Sequence, residues 1–156
     1  MNKREVISRV KAERARWNAL VAQIDDDRMR EPGAGGGWSG KDIVAHVIWY
    51  EREMVGMLKS RFLAGSDLWA RPVHERNSAV HEEIKDLTLQ EVRAWDDRTF
   101  AALIEQLELV PEDGYVDAAY FERMPGEWVP WKVIAGNTFK HYPEHLPAIR
   151  ALIESD

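Results

Sequence analysis

Three histidines have the residue type and spacing for chemistry: His46, and the pair His141 and His145 near the C-terminus. On a helix, residues four apart stack on one face, so His141 and His145 would aim two imidazoles the same way, about 6 Å apart. That is the natural way for a helix to offer two nitrogen ligands to one metal ion. A third imidazole, His46, facing them from another helix would complete a three-nitrogen site. Three protein ligands leave one coordination position open for water or substrate, which separates catalytic from structural ions. The competing reading is three separate polar contacts in a tryptophan-rich core. An all-imidazole set suits zinc, nickel, copper or iron and disfavours calcium and magnesium, with zinc or nickel the expectation. Such a dication lowers the pKa of bound water toward ~7 or holds a thiol as thiolate.

Around this trio the sequence offers partners. Glu53 lies seven residues after His46 on nearly the same helix face and is a candidate general acid or base. It could equally pair with an arginine at the bundle end. Tyr50, one turn from His46, and Trp131 are candidates to line a pocket. Trp49 and Tyr142 share that reading with a plain core role. Asn77 lies in a short polar segment suited to a pocket contact, or to a turn or cap. His74 and His81 stand among Glu75, Glu82 and Glu83 and read as surface residues.

Composition narrows the setting. The chain has 156 residues, 45% apolar content and seven Trp, enough for one domain spanning 1–156 with a real core. With no cysteine, disulfides, thiolate metal sites and a cysteine nucleophile are excluded, and any sulfur nucleophile must be a low-molecular-weight thiol cosubstrate. The N-terminal Met1–Val6 stretch is charged and unlike a signal peptide, and no apolar run approaches the ~20 residues of a membrane span. The expectation is a cytoplasmic protein with a small-molecule substrate or ligand. A net charge of −6 with scattered basic residues argues against nucleic acid as partner. Asp25, Asp26 and Asp27 read as the solvated end of a helix.

The elements that must position the histidines are helical. Val6, Val10, Trp17, Leu20, Val21 and Ile24 predict a first helix over about 3–25. Glu31–Gly37, with Pro32 and four glycines, reads as a flexible connection. Ser39 and Asp42 form a capping-box variant, with Trp38 and Ile43 as its hydrophobic staple, opening a helix to about Leu63 that turns His46 inward. A short helix over 74–86 is next. Thr88-Leu89-Gln90-Glu91 is a second capping box, opening a helix to about Leu109. Residues 115–129 look irregular, and a last helix starts at Pro130 and continues through Ile134, His141, His145, Ile149 and Leu152. The sum is an all-α four-helix bundle with an extra short helix and long connecting loops.

Two stretches carry a family resemblance. Trp38-Ser39-Gly40-Lys41-Asp42-Ile43-Val44-Ala45-His46 resembles the entry to the second helix in the DinB/YfiT-like superfamily of four-helix bundles. Ala135 to His145 is similar to that superfamily's last-helix H-x-x-x-H element, and its Gly-Asn-Thr-x-x-His-Tyr wording resembles the ClbS/DfsB-like branch. The resemblance implies a divalent metal held by His46, His141 and His145. It also implies activity of the kind known in the family: thiol-dependent transfer or isomerisation with mycothiol or bacillithiol, or hydrolysis that inactivates a genotoxin. A non-catalytic protein that sequesters a ligand in the same cavity is the other function it allows. A homodimer is compatible with it, although no exposed stripe demands one. Pro143 and Pro147 depart from the pattern: inside a helix each removes a donor and crowds the preceding turn, which bends the rod or loosens the spacing of the pair.

Overall fold

The computed structural model describes residues 1–33, 37–63 and 65–154. The described residues form an all-α bundle of seven helices and no extended strand: α1 (Lys3–Val21), α2 (Asp26–Arg30), α3 (Gly40–Ser60), α4 (Val73–Ile84), α5 (Leu89–Leu109), α6 (Pro130–Gly136) and α7 (Tyr142–Glu154). The long rods α1, α3 and α5 and the α6–α7 pair make the four-helix bundle. Helix α3 is its centre, packed against α5, α4, α2 and α7, while α1 lies on α7 and α5.

Helix α3 is buried without interruption from Asp42 to Glu51, so its sequence is apolar on most sides rather than along one stripe. Its start is fixed as the capping box requires: Ser39 Oγ accepts from the Asp42 N–H at 3.1 Å, and Asp42 Oδ2 accepts from the Ser39 N–H at 3.0 Å. Thr88 and Glu91 do the same for α5. Trp17, Trp49, Met54, Leu103, Leu107, Ile134 and Ile149 are fully buried between the rods.

Three boundaries differ from the sequence expectation. The first helix ends at Val21 because Asp25 caps a new short helix, its side chain accepting from the Arg28 N–H. Asp26 pairs with Arg93 of α5 at 2.6 Å, so this acidic run staples α2 to the bundle rather than gathering around an ion. Helix α3 stops at Ser60, three residues early, because Arg61 turns left-handed (φ 55°) and the Phe62 N–H returns to the Met57 carbonyl. Of the expected loop Glu31–Gly37, residues 34–36 lie outside the described residues.

The third difference matters most. The last rod is not one helix. After Gly136 the chain makes a tight turn through His141 before α7 begins at Tyr142. The turn is held by side chains that use the end of α6: Thr138 Oγ1 donates to the Ile134 carbonyl at 2.7 Å and Asn137 Nδ2 to the Val133 carbonyl at 2.8 Å. This break resolves the problem of Pro143, which now stands in the first turn of α7, where a missing N–H has no intrahelical partner to lose. Pro147 alone lies in the helix interior.

Candidate metal centre

His46 points from the middle of α3 toward the α6–α7 turn. It is 2% exposed, and its ring lies 5.2 Å from that of His141 and 4.9 Å from that of His145, centroid to centroid. His141 ends the turn and His145 stands one turn into α7. Their rings are 4.7 Å apart, and their Nε2 atoms face each other at 3.0 Å. One nitrogen from each of the three histidines lies within 4.8 Å of the other two. The pair thus converges although His141 is not itself helical.

Burial and charge keep the trio neutral. Burial, then the repulsion a protonated His145 would exert and the Arg76 cation, lowers the His46 pKa to about 3. Burial and the other two histidines hold His141 well below the usual range, and burial lowers His145. At neutral pH all three rings therefore carry free lone pairs, as metal ligation requires. Nδ1 of His46 and Nδ1 of His141 are buried with no hydrogen-bond partner. An orphaned ring nitrogen costs about 1–3 kcal/mol, and two lone pairs facing at 3.0 Å repel unless a proton or cation lies between them. The donor set and its unsatisfied atoms fit a bound divalent ion.

The trio opens into a cavity of about 380 Å³, whose wall also includes Tyr50, Trp69, Arg76, Asn77, Lys132, Asn137 and Glu144. Tyr50 donates its hydroxyl to Asn77 Oδ1 at 2.9 Å and accepts from Arg76 Nε at 3.2 Å. Burial raises the Tyr50 pKa, against the nearby Arg76 cation, so the hydroxyl stays protonated. Trp69 and Val133 also wall a second, largely apolar cavity of about 330 Å³, with Met57, Phe62, Leu63 and Trp128.

Tyr50 and Asn77 thus stand in the cavity with the three histidines. Glu53 does not line it. Its Oε2 accepts from the Ser66 N–H at 2.8 Å and from Trp69 Nε1 at 3.0 Å, which ties the loop after α3 to that helix and leaves no acid–base role at the imidazoles. Trp131 also faces elsewhere, its ring beside the ammonium groups of Lys132 and Lys140. Trp49 and Tyr142 are core. His74 is exposed as expected, but His81 is not a free surface residue. Its ring stacks on Trp38 at 4.8 Å, and its Nε2 lies 3.4 Å from Asp42 Oδ2.

Sequence reasoning missed a buried ionic knot behind the site. Arg14 of α1 donates to both oxygens of Glu51, at 2.7 and 2.8 Å, and also to Asp96 of α5. Tyr142 donates its hydroxyl to Glu51. Burial raises both Glu51 and Asp96, and the Arg14 cation pulls them back only in part. The signal was present: Arg14 falls one turn after Val10 and Glu51 one turn after Val47, both on inward stripes.

With this geometry, family comparison is decisive. The DinB superfamily model matches residues 9–146. The chain belongs to the DinB superfamily. A structural-genomics crystal structure of a Streptococcus pneumoniae protein has the same fold, with a TM-score of 0.82 at 13% identity over 97% of this chain and 90% of that one. Comparison with curated proteins finds no match. The three histidines of this DinB-superfamily chain form a group capable of holding a metal. No described helix is long and apolar enough to cross a membrane.

Proposed function

We propose that the protein is a metal-dependent enzyme that transfers a small thiol to electrophilic or toxic small molecules at His46, His141 and His145, as the thiol-dependent transferases of its superfamily do. The observation that carries this reading is the convergence of three neutral imidazoles, two buried and one half-buried, on one open cavity. Zinc or nickel fits the nitrogen set best. A bound dication would hold a thiol as its thiolate at neutral pH.

Thiol transfer is favoured over hydrolysis by what lines the cavity. Hydrolysis at such an ion commonly uses a carboxylate to orient the bound water and shuttle its proton, and among the described residues the one carboxylate in the wall, Glu144, is exposed. A thiol that gives its proton to solvent on binding and is held as thiolate needs no such base. The chain has no cysteine, so the thiol is a cosubstrate. The sulfur attacks the electrophilic carbon, the carbon–sulfur bond forms as the carbon–oxygen bond of an epoxide breaks, and the released alkoxide takes a proton from water. The protein's own groups orient and enclose: Trp69 and Val133 exclude water on the apolar side, while Asn77 and Arg76 present donors on the other. The adjoining apolar cavity gives room for the hydrocarbon part of the electrophile.

The test is incubation of zinc- or nickel-loaded protein with a small epoxide, with and without a low-molecular-weight thiol, read by mass spectrometry. Thioether formation that needs both metal and thiol is the expected result. Diol formation with metal alone would make the protein a hydrolase. Saturable binding with no product would make it a sequestering protein.

A further inference from the structure

Arg76 is nine-tenths buried, and among the described residues no carboxylate lies within ion-pair distance of it. Its Nε is used by Tyr50, and its guanidinium lies 4.5 Å above the Trp69 ring and 5.8 Å from that of Tyr50. Among the described residues its two terminal nitrogens have no hydrogen-bond or ion-pair partner. The other buried arginine of the molecule, Arg14, is matched by Glu51 and Asp96. Covering a guanidinium without a counter-charge is costly, and stacking on aromatic faces offsets only part of it. Arg76 also lines the same cavity as the three histidines, together with Lys132. The wall therefore sets two cations against the single carboxylate of Glu144, and a dication at the histidines would add to the positive side.

We propose that Arg76 holds the carboxylate of a small molecule whose other end reaches the three imidazoles. With Nε occupied, the two terminal nitrogens remain as a planar pair of donors, which matches the two oxygens of a carboxylate end-on. The Trp69 and Tyr50 rings fix the plane of that fork. This deepens the reading above by naming the class of substrate or cosubstrate, a carboxylate-bearing small molecule, and it rests on that reading only for the far end of the ligand.

The test uses ¹⁵N-labelled protein, zinc-loaded and chelator-treated, titrated with 3-mercaptopropionate and with its neutral amide. The Arg76 Nε–H resonance, identified by its loss in Arg76→Gln, is the reporter. The acid is expected to shift this resonance saturably and to bind about tenfold or more tighter than the amide, as a charge-assisted pair requires. In Arg76→Gln the two probes should bind alike, with the amide affinity kept as evidence that the variant is folded, and Arg76→Lys should restore part of the preference. Equal binding of acid and amide to the native protein would overturn the proposal whether or not the variants fold, as would absence of saturable binding by either. A preference that survives Arg76→Gln and is lost in Lys132→Gln would overturn it in favour of the lysine. If zinc leaves thiol affinity unchanged while the acid preference persists, the metal reading fails and the role of Arg76 stands.

Discussion

Tyr142 donates its hydroxyl to the carboxylate of Glu51, and Glu51 sits five residues beyond His46 on α3. The residue before Tyr142 is His141. One buried hydrogen bond therefore joins the helix that carries the first histidine to the turn that carries the second. Arg14 closes the arrangement from α1. The two halves of the metal centre are held in register by polar groups that face away from it.

Removing Glu51 should be among the most damaging single changes. Glu51→Ala leaves the Arg14 guanidinium buried with only Asp96 as counter-charge, and a broken buried pair costs about 3–5 kcal/mol. Tyr142→Phe removes one hydrogen bond and leaves the pair, at about 1–2 kcal/mol. Urea unfolding of both variants checks the order. Equal costs would contradict it.

Metal should stabilise the fold through the same three side chains. Zinc at about a hundredfold its Kd adds about 2.7 kcal/mol, roughly 5–10 °C in Tm for a chain of this size. His46→Ala, His141→Ala and His145→Ala should each abolish that shift and weaken zinc binding more than ~100-fold. Thermal melts with and without zinc read it directly.

Acid should destabilise the metal-free protein over a defined window. His46 is lowered from 6.5 to about 3 by burial, and His141 and His145 move in the same direction. The unfolded chain binds these protons first, so stability is full above pH 6.5 and is lost as pH falls toward 3. Each imidazole contributes up to ~1.4 kcal/mol per pH unit. Glu51 and Asp96, raised by burial, act with the opposite sign: the folded state gains as they protonate, above their ordinary range. The prediction is a falling denaturation midpoint from pH 6.5 downward, absent when the three histidines are replaced together.

Gly65 controls the cavity wall. It takes φ +63°, and a Cβ there would fall inside the Trp69 indole. Gly65→Ala is expected to cost about 1–3 kcal/mol through left-handed backbone strain and overpacking. It should also displace Trp69 from the wall it shares with both cavities. Near-UV circular dichroism, with ligand affinity, distinguishes this from a uniform loss of stability.

How much of this was legible follows from which signals are local. Ser39–Asp42 and Thr88–Glu91 are capping codes written in four residues, and both helices start where they say. His46 was readable as inward because its neighbours on the wheel are apolar. The break at Asn137–His141 was not readable from periodicity, because Thr138 and His141 continue the stripe of α6 across the turn. Only Pro143 hinted that one rod could not pass through. Glu53 satisfied the wheel as well as a site residue would. Whether a carboxylate reaches the cavity or the Ser66 N–H depends on the loop after α3, which no helical pattern encodes. Arg76 carries no local signal for the same reason: its partners Tyr50 and Trp69 come from α3 and from a short 3₁₀ turn over Asp67–Ala70.

The most direct measurement is an anomalous-scattering map from crystals of protein purified without a histidine tag, collected at the absorption edge of the metal found by X-ray fluorescence. One strong peak bonded to ring nitrogens of His46, His141 and His145 is the predicted result. A map with no peak among those rings, or with the metal held elsewhere while the three imidazoles bond only to one another, would contradict it.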